Sequence, residues 1–208
     1  MTLPRHGLRI GHRLRRRRPA LLAAVVTSGL ILGGLAAVAP PAAAASFTIW
    51  ESSTVPTTPS DPDPAAVELG VKFRSDVAGQ VTGVRFYKGA GNSGTHVGHL
   101  WTAAGVSLGA VTFSGESATG WQTATFATPI TVAANTTYVV SYYAPAGHYA
   151  ADSGFFATAG VDNSPLHALG NGVDGVNGVY RYGTGGGFPN QSWQSSNYWV
   201  DVVFSPGN

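Results

Sequence analysis

The chain has 208 residues, no Cys, one Met, 28 Gly and 13 Pro, a length for one domain or two small ones. Its net charge of +2 conceals a segregation: Arg5, Arg9, Arg13, Arg15, Arg16, Arg17 and Arg18 crowd the start, whereas from residue 46 onward five basic residues face ten acidic ones, a balance of −5 with His neutral. An acidic body argues against nucleic acid as a partner, because phosphate neutralisation needs clustered Lys and Arg, and the missing Cys excludes thiol catalysis, thiolate metal sites and disulfides.

In chain order, the Arg-rich start ends at Pro19, and residues 20–39 are uncharged and apolar. Pro40, Pro41 and four Ala at 42–45 follow, completing the basic, apolar and small-residue regions of a secretory signal peptide over residues 1–45. Cleavage after Ala44 or Ala45 by the Sec route is the expectation. The apolar run also has the length to stay as an anchor, which is the alternative. The expected product is secreted and monomeric, with no membrane contact once the leader is cut.

Residues 46–66 open with Phe47 and Ile49 in alternation and continue as a Pro/Ser/Thr/Asp stretch. Such a stretch forms neither helix nor central strand, so an edge strand and an extended lead-in are predicted. From Val67 the period is two. In VELGVKFRS, Leu69, Val71 and Phe73 oppose Glu68, Lys72 and Arg74; in QVTGVRFYK, Val84 and Phe86 oppose Arg85 and Tyr87. HVGHLW and VSLGAVTF read as a hairpin about AAG. WQTATFA and PITV are strands with Pro129 at a junction or edge, and Asn135 turns the chain into TTYVVSYYA. The last strand is NYWVDVVF, where alternation puts Trp199 and Asp201 on one face and Tyr198, Val200 and Val202 on the other. No window carries a helical stripe. The pattern predicts an all-β fold over 67–208, an antiparallel β-sandwich (jelly-roll or immunoglobulin-like) of about eight or nine strands. Residues 153–192 differ, being rich in Gly and Asn with alternation only around Val179, Tyr180, Arg181 and Tyr182. Inserts of this length in small domains are functional or disordered, and the aromatic content here predicts an ordered loop layer.

Catalysis finds little support. Glycoside hydrolysis needs two carboxylates facing one cleft, and Glu51, Glu68 and Glu116, the only glutamates, form no evident pair. A serine triad needs Ser, His and Asp that meet in space, and a chain patterned as strands offers no strand-to-helix nucleophile elbow. His96 and His99, three apart on a strand, point to opposite faces. A non-enzymatic protein is expected, with a hydrolase as the third choice. No cofactor is expected beyond a structural Ca2+, for which Asp and Asn oxygens in GNGVDGVNG (Asn171, Asp174, Asn177) are suitable donors. Glu68 and Asp201 are further candidate ligands if the first and last strands are neighbours. Turn chemistry accounts for the same Asn, Asp and Gly residues without a metal.

Aromatic side chains are the other resource. Five Trp and eight Tyr offer flat rings that stack on the apolar faces of sugars, with Asn, Gln and Asp bonding the hydroxyls. The candidate ligand-binding set is His148 and Tyr149 in the APAGHY loop, Tyr180, Tyr182, Phe188 and Trp193 in or beside the insert, and Trp199. Core packing is the plainer role for any one of these rings.

The phrases ELGVKFRSD, GQVTGVRFYK, NSGTHVGHLW, GWQTATFATPITVAANTTYVVSYYAPAGHY and FPNQSWQSSNYWVDVVF resemble, in this order, the bacterial family called domain of unknown function 4082. The resemblance covers residues 47–205. It implies a secreted β-sandwich module of the kind found beside immunoglobulin-like domains, carbohydrate-binding modules or glycoside hydrolases, and it supplies no catalytic residues. The resemblance supplies no settled function; the aromatic, amide-rich insert on a regular strand pattern sets the expectation of a non-catalytic module that binds polysaccharide or cell-surface glycan. The alternative is a structural or adhesive module of the cell surface that contacts other proteins.

Overall fold

A computed structural model describes residues 45–207; the predicted signal peptide falls almost wholly outside the described residues. Alternation determines the architecture. Strand β1 (Val67–Ser75) buries Val67, Leu69, Val71 and Phe73 on one face. It pairs antiparallel with β6 (Tyr138–Ala144), which pairs with β3 (Val97–Thr102), which pairs with β4 (Ser107–Thr112). A second antiparallel sheet places β2 (Gly79–Lys88) between β11 (Val200–Pro206) and β5 (Gly120–Val132). The apolar faces meet to form the core, where Phe86 stacks on Tyr142 at 4.1 Å and takes Phe113 edge-on at 4.8 Å. Gly98 is one of the points that let the sheets approach closely, since a Cβ there would lie 2.9 Å from Val84 Cβ. The fold is thus the all-β antiparallel sandwich that the sequence predicts. Pro129 lies in β5, an edge strand, within the four residues that bulge out as pairing jumps from Val81–Ile130 to Gly83–Thr125.

Two expectations need correction. The described residues hold eleven strands rather than eight or nine, because the insert supplies four short ones: β7 (Val161–Asn163), β8 (Leu166–Ala168), β9 (Val179–Tyr182) and β10 (Gln191–Ser192). They form because the second edge of β1 needs partners. β8 pairs with Phe73, Arg74 and Ser75, and β9 pairs with Val67, Glu68, Leu69 and Gly70. The lead-in, moreover, belongs to the sandwich. Phe47 bridges Phe204, and Ile49 and Trp50 are buried, because the Asp201 carboxylate accepts the Ile49 and Trp50 N–H groups at 2.8 and 3.3 Å. Burying these apolar residues covers the outer face of the smaller sheet.

The gap between β8 and β9 is closed by one side chain. Asn177 is fully buried; its Oδ1 accepts the Lys72 N–H at 2.7 Å and the Gly178 N–H at 2.7 Å, and its Nδ2 donates to Lys72 O at 3.1 Å and Leu169 O at 2.6 Å. An amide that both donates and accepts replaces the missing rung of the ladder. Asn177→Ala leaves the Lys72 and Gly178 N–H groups without their acceptor in a dry position. A loss of roughly 2–4 kcal/mol is expected from orphaning buried groups of this kind, read as a lower denaturation midpoint with an unchanged slope.

The β7–β8 hairpin is also tied to the β1–β2 turn through His167. Its Nδ1 lies 2.7 Å from Asp162 Oδ1 and its Nε2 2.9 Å from Asp76 Oδ1. Burial opposes the charged ring, but the two carboxylates outweigh it and raise the His167 pKa above 6.5. With the folded pKa above the unfolded one, the stabilisation is complete below pH 6.5 and is lost as pH rises through the raised value. The gap in thermal midpoint between wild type and His167→Gln is therefore expected to shrink from pH 6.5 upward; a constant gap would contradict the pairing.

Candidate functional site

Aromatic side chains gather around a cleft of about 390 Å³, within the range of small-ligand sites. Three segments build it. Strand β9 supplies Tyr180 and Tyr182, which alternation turns away from the face carrying Arg181. The chain after β6 supplies Tyr149, Ala151 and Ser153, and the chain after β10 supplies Trp193, Ser196 and Tyr198. The lead-in closes the rim with Asp61 and Asp63.

The lead-in is held there by backbone bonds to the chain after β6: Asp61 N–H to Tyr149 O at 2.7 Å, His148 N–H to Asp63 O at 2.8 Å, and Ala151 N–H to Thr58 O at 3.0 Å. Asp152 adds a clamp, its carboxylate accepting the Thr57 and Thr58 N–H groups and the Trp199 indole N–H at 2.8–3.0 Å. Within Asp61-Pro62-Asp63-Pro64 each aspartate caps its own turn, Asp61 Oδ1 accepting Asp63 N–H and Asp63 Oδ1 accepting Ala65 N–H, both at 2.9 Å. Asp63 Oδ2 then accepts the Tyr182 hydroxyl and, at 3.3 Å, the Tyr149 hydroxyl. Partial burial disfavours the Asp63 charge, yet the bonds from Tyr182, the Ala65 N–H and Tyr149 outweigh it and hold the carboxyl below its usual range. Burial also raises the Tyr149, Tyr182 and Tyr198 hydroxyls above their ordinary value of 10. The site is therefore an ionised carboxylate among neutral phenols.

Trp193 is 62% exposed, and a strained turn displays it. Gln194 (φ 47°) and Ser195 (φ 48°) are consecutive non-glycine residues in the left-handed region, where L-residues carry a penalty. The Ser196 N–H closes the turn on Trp193 O at 3.1 Å, while the Gly154 and Phe156 N–H groups bond the Gln194 and Ser195 carbonyls at 2.8 and 2.9 Å. The surrounding backbone thus enforces a conformation that Asn-Gly adopts more readily.

Of the seven candidate binding residues, the cleft gathers Tyr149, Tyr180, Tyr182 and Trp193. His148 lies behind the rim, its Nδ1 3.1 Å from Asp61 O. Phe188 packs edge-on against Trp101 at 5.8 Å on the outer face of the larger sheet. Trp199 is buried in a cluster with Trp50 and Trp121, where Arg85 Cζ stands 4.4 Å over the Trp121 ring. Trp199 has φ +53° and β11 starts only at Val200, so regular alternation stops short of Tyr198, which is buried and lines the cleft. Asp61 and Asp63 carry a signal the sequence reading passed over, the repeated Asp-Pro, which sets two carboxylates on consecutive turns.

The candidate metal ligands are not brought together. Glu68 lies in the larger sheet and Asp201 in the smaller, so the first and last strands are not paired neighbours. Asp201 is enclosed by N–H donors, and Glu68 Oε1 accepts the Ser141 hydroxyl and lies 2.9 Å from His99 Nδ1. Asp174 pairs with Arg74 at 3.2 Å, and the Thr137 hydroxyl with Arg74 holds its carboxyl low. The amides of Asn171 and Asn177 are committed to backbone groups. Among the described residues no group of three or more His, Asp or Glu is placed to hold a metal ion. His96 and His99 do part as predicted, His96 pairing with Glu116 at 2.9 Å and His99 with Glu68.

A family model described as domain of unknown function (DUF4082) matches residues 53–200. No curated protein matches the chain.

Two measurements probe this geometry. Tyr182→Phe removes the strongest hydrogen bond to Asp63, so the carboxyl pKa, followed by carboxyl-carbon NMR, is expected to move upward; no movement would dissociate the pair. Gln194→Gly relieves one left-handed residue and is expected to stabilise the protein by about 1 kcal/mol in denaturant titration.

Proposed function

Because the chain belongs to the DUF4082 family, whose description assigns no activity, we propose a function from the cleft itself: a secreted, non-catalytic module that binds polysaccharide or cell-surface glycan. The observation that carries this reading is the convergence of Tyr149, Tyr180, Tyr182, Trp193 and Tyr198 with Asp61 and Asp63 around one concavity. Rings contribute contact area at little cost in side-chain entropy, while the carboxylates and the hydroxyls of Ser153 and Ser196 give direction. Trp193 and Tyr182 are the exposed members, at 62% and 48%, and so the first to meet a polymer. The remaining large exposed apolar residues, such as Val55 and Val106, lie outside the cleft. Action outside the cell rests on the Arg-rich and apolar leader of residues 1–45.

The test is retention on a panel of insoluble polysaccharides and cell-wall preparations. Wild type is expected to be retained on at least one of them. Tyr182→Ala/Trp193→Ala is expected to bind about tenfold or more weakly, as when central aromatic contacts are truncated, with unchanged circular dichroism. Equal retention of both proteins would remove the cleft from the mechanism. Release of soluble sugar from the bound polymer would replace a binding module with a hydrolase.

A further inference from the structure

Charge and ring geometry narrow the ligand. The cleft rings do not lie in one plane: Tyr180 meets Tyr182 at 69° with centroids 5.5 Å apart, Tyr198 at 78° and 6.4 Å, and Tyr149 meets Tyr198 at 78° and 5.9 Å. A flat platform suits the broad face of a pyranose. Rings standing nearly perpendicular make corners, which enclose a compact group from several sides and draw a cation to their π-faces.

The polar lining agrees. It holds two carboxylates, Asp61 and Asp63, and no Lys, Arg or His. The nearest basic side chains of the flanking segments are turned elsewhere, Arg181 donating to Gly186 O at 3.1 Å and His148 Nδ1 facing Asp61 O. Among the described residues Asp61 Oδ2 has no hydrogen-bond partner, since only Oδ1 is used, by Asp63 N–H. The Tyr182 and Tyr149 hydroxyls give their protons to Asp63 and retain acceptor capacity. Free acceptors and negative charge within aromatic corners suit a group that only donates and carries positive charge, which is an ammonium.

We infer that the cleft selects glycans bearing free amines, with the protonated amine of an amino sugar seated among Tyr149, Tyr180, Tyr182 and Tyr198 beside Asp61. The inference rests on the glycan-binding reading above and refines it to a ligand class.

The test uses isothermal titration of the full chain with three oligosaccharides of equal length: fully deacetylated chitosan, N-acetylated chitin and cellulose oligomers. Ethanolamine, whose protonated amine donates three hydrogen bonds, serves as an ammonium that carries no sugar. Chitosan oligomers are expected to bind about tenfold or more tightly than both neutral oligomers. Asp61→Asn, which keeps the Oδ1 turn bond, is expected to remove most of that preference, bringing chitosan affinity to within about twofold of the neutral oligomers. Equal affinity for all three oligomers overturns the amine inference and leaves glycan binding standing. A preference that survives Asp61→Asn also overturns it, since it would report general attraction to an acidic body. Tighter binding of ethanolamine than of chitosan overturns the sugar assignment, and no binding of any probe overturns both this inference and the reading beneath it.

Discussion

The second edge of β1 is the constraint on which the rest of the molecule depends. A central strand with one edge paired to β6 would leave a row of backbone donors and acceptors unmatched in a buried position, which is costly. The chain meets that demand with two short strands from its most glycine-rich region and with the Asn177 amide where neither strand reaches. Once β9 is fixed on β1, Tyr180 and Tyr182 are fixed with it, and the cleft inherits the rigidity of the sheet. A region whose composition suggests looseness thereby becomes a wall of the site.

The opposite wall depends on carboxylates. Asp152, Asp201 and the two turn aspartates hold the lead-in by accepting backbone N–H groups, so a segment with almost no strand pairing of its own is positioned as firmly as a strand. Charge-assisted bonds of this type are stronger than neutral ones, which suits a protein without disulfides. The acidic balance of the body therefore has a structural origin. Asp63 joins the two roles: one oxygen shapes its turn and the other orients the Tyr182 ring.

Much of the fold was legible because the sandwich strands alternate cleanly. Leu69, Val71, Phe73, Val84 and Phe86 all face the core as the period of two requires. Legibility stopped where pairing is set by distant partners. The strands β7, β8 and β10 are two or three residues long and carry no periodic signal of their own. The site was half legible. Ring content flagged Tyr149, Tyr180, Tyr182 and Trp193, but composition cannot distinguish an exposed ring from Trp199, which a buried indole cluster and Asp152 retain. Alternation could not mark Tyr198 as a cleft residue, because the strand starts only at Val200, beyond the left-handed Trp199. Asp61 and Asp63 were hidden in a stretch whose prolines mark it as irregular, and irregular backbone positions side chains only through long-range contacts.

The bridge between Phe47 and Phe204, and the grip of Asp201 on Ile49 and Trp50, bear on where the folded unit starts. Similarity to the family begins at residue 53, six positions after that bridge. A version trimmed to the family outline would strip Trp50 from beside Trp121 and Trp199 and open the flank of the smaller sheet to water. The natural unit of this protein is longer at its front than its kinship suggests, and the extra residues act as its seal.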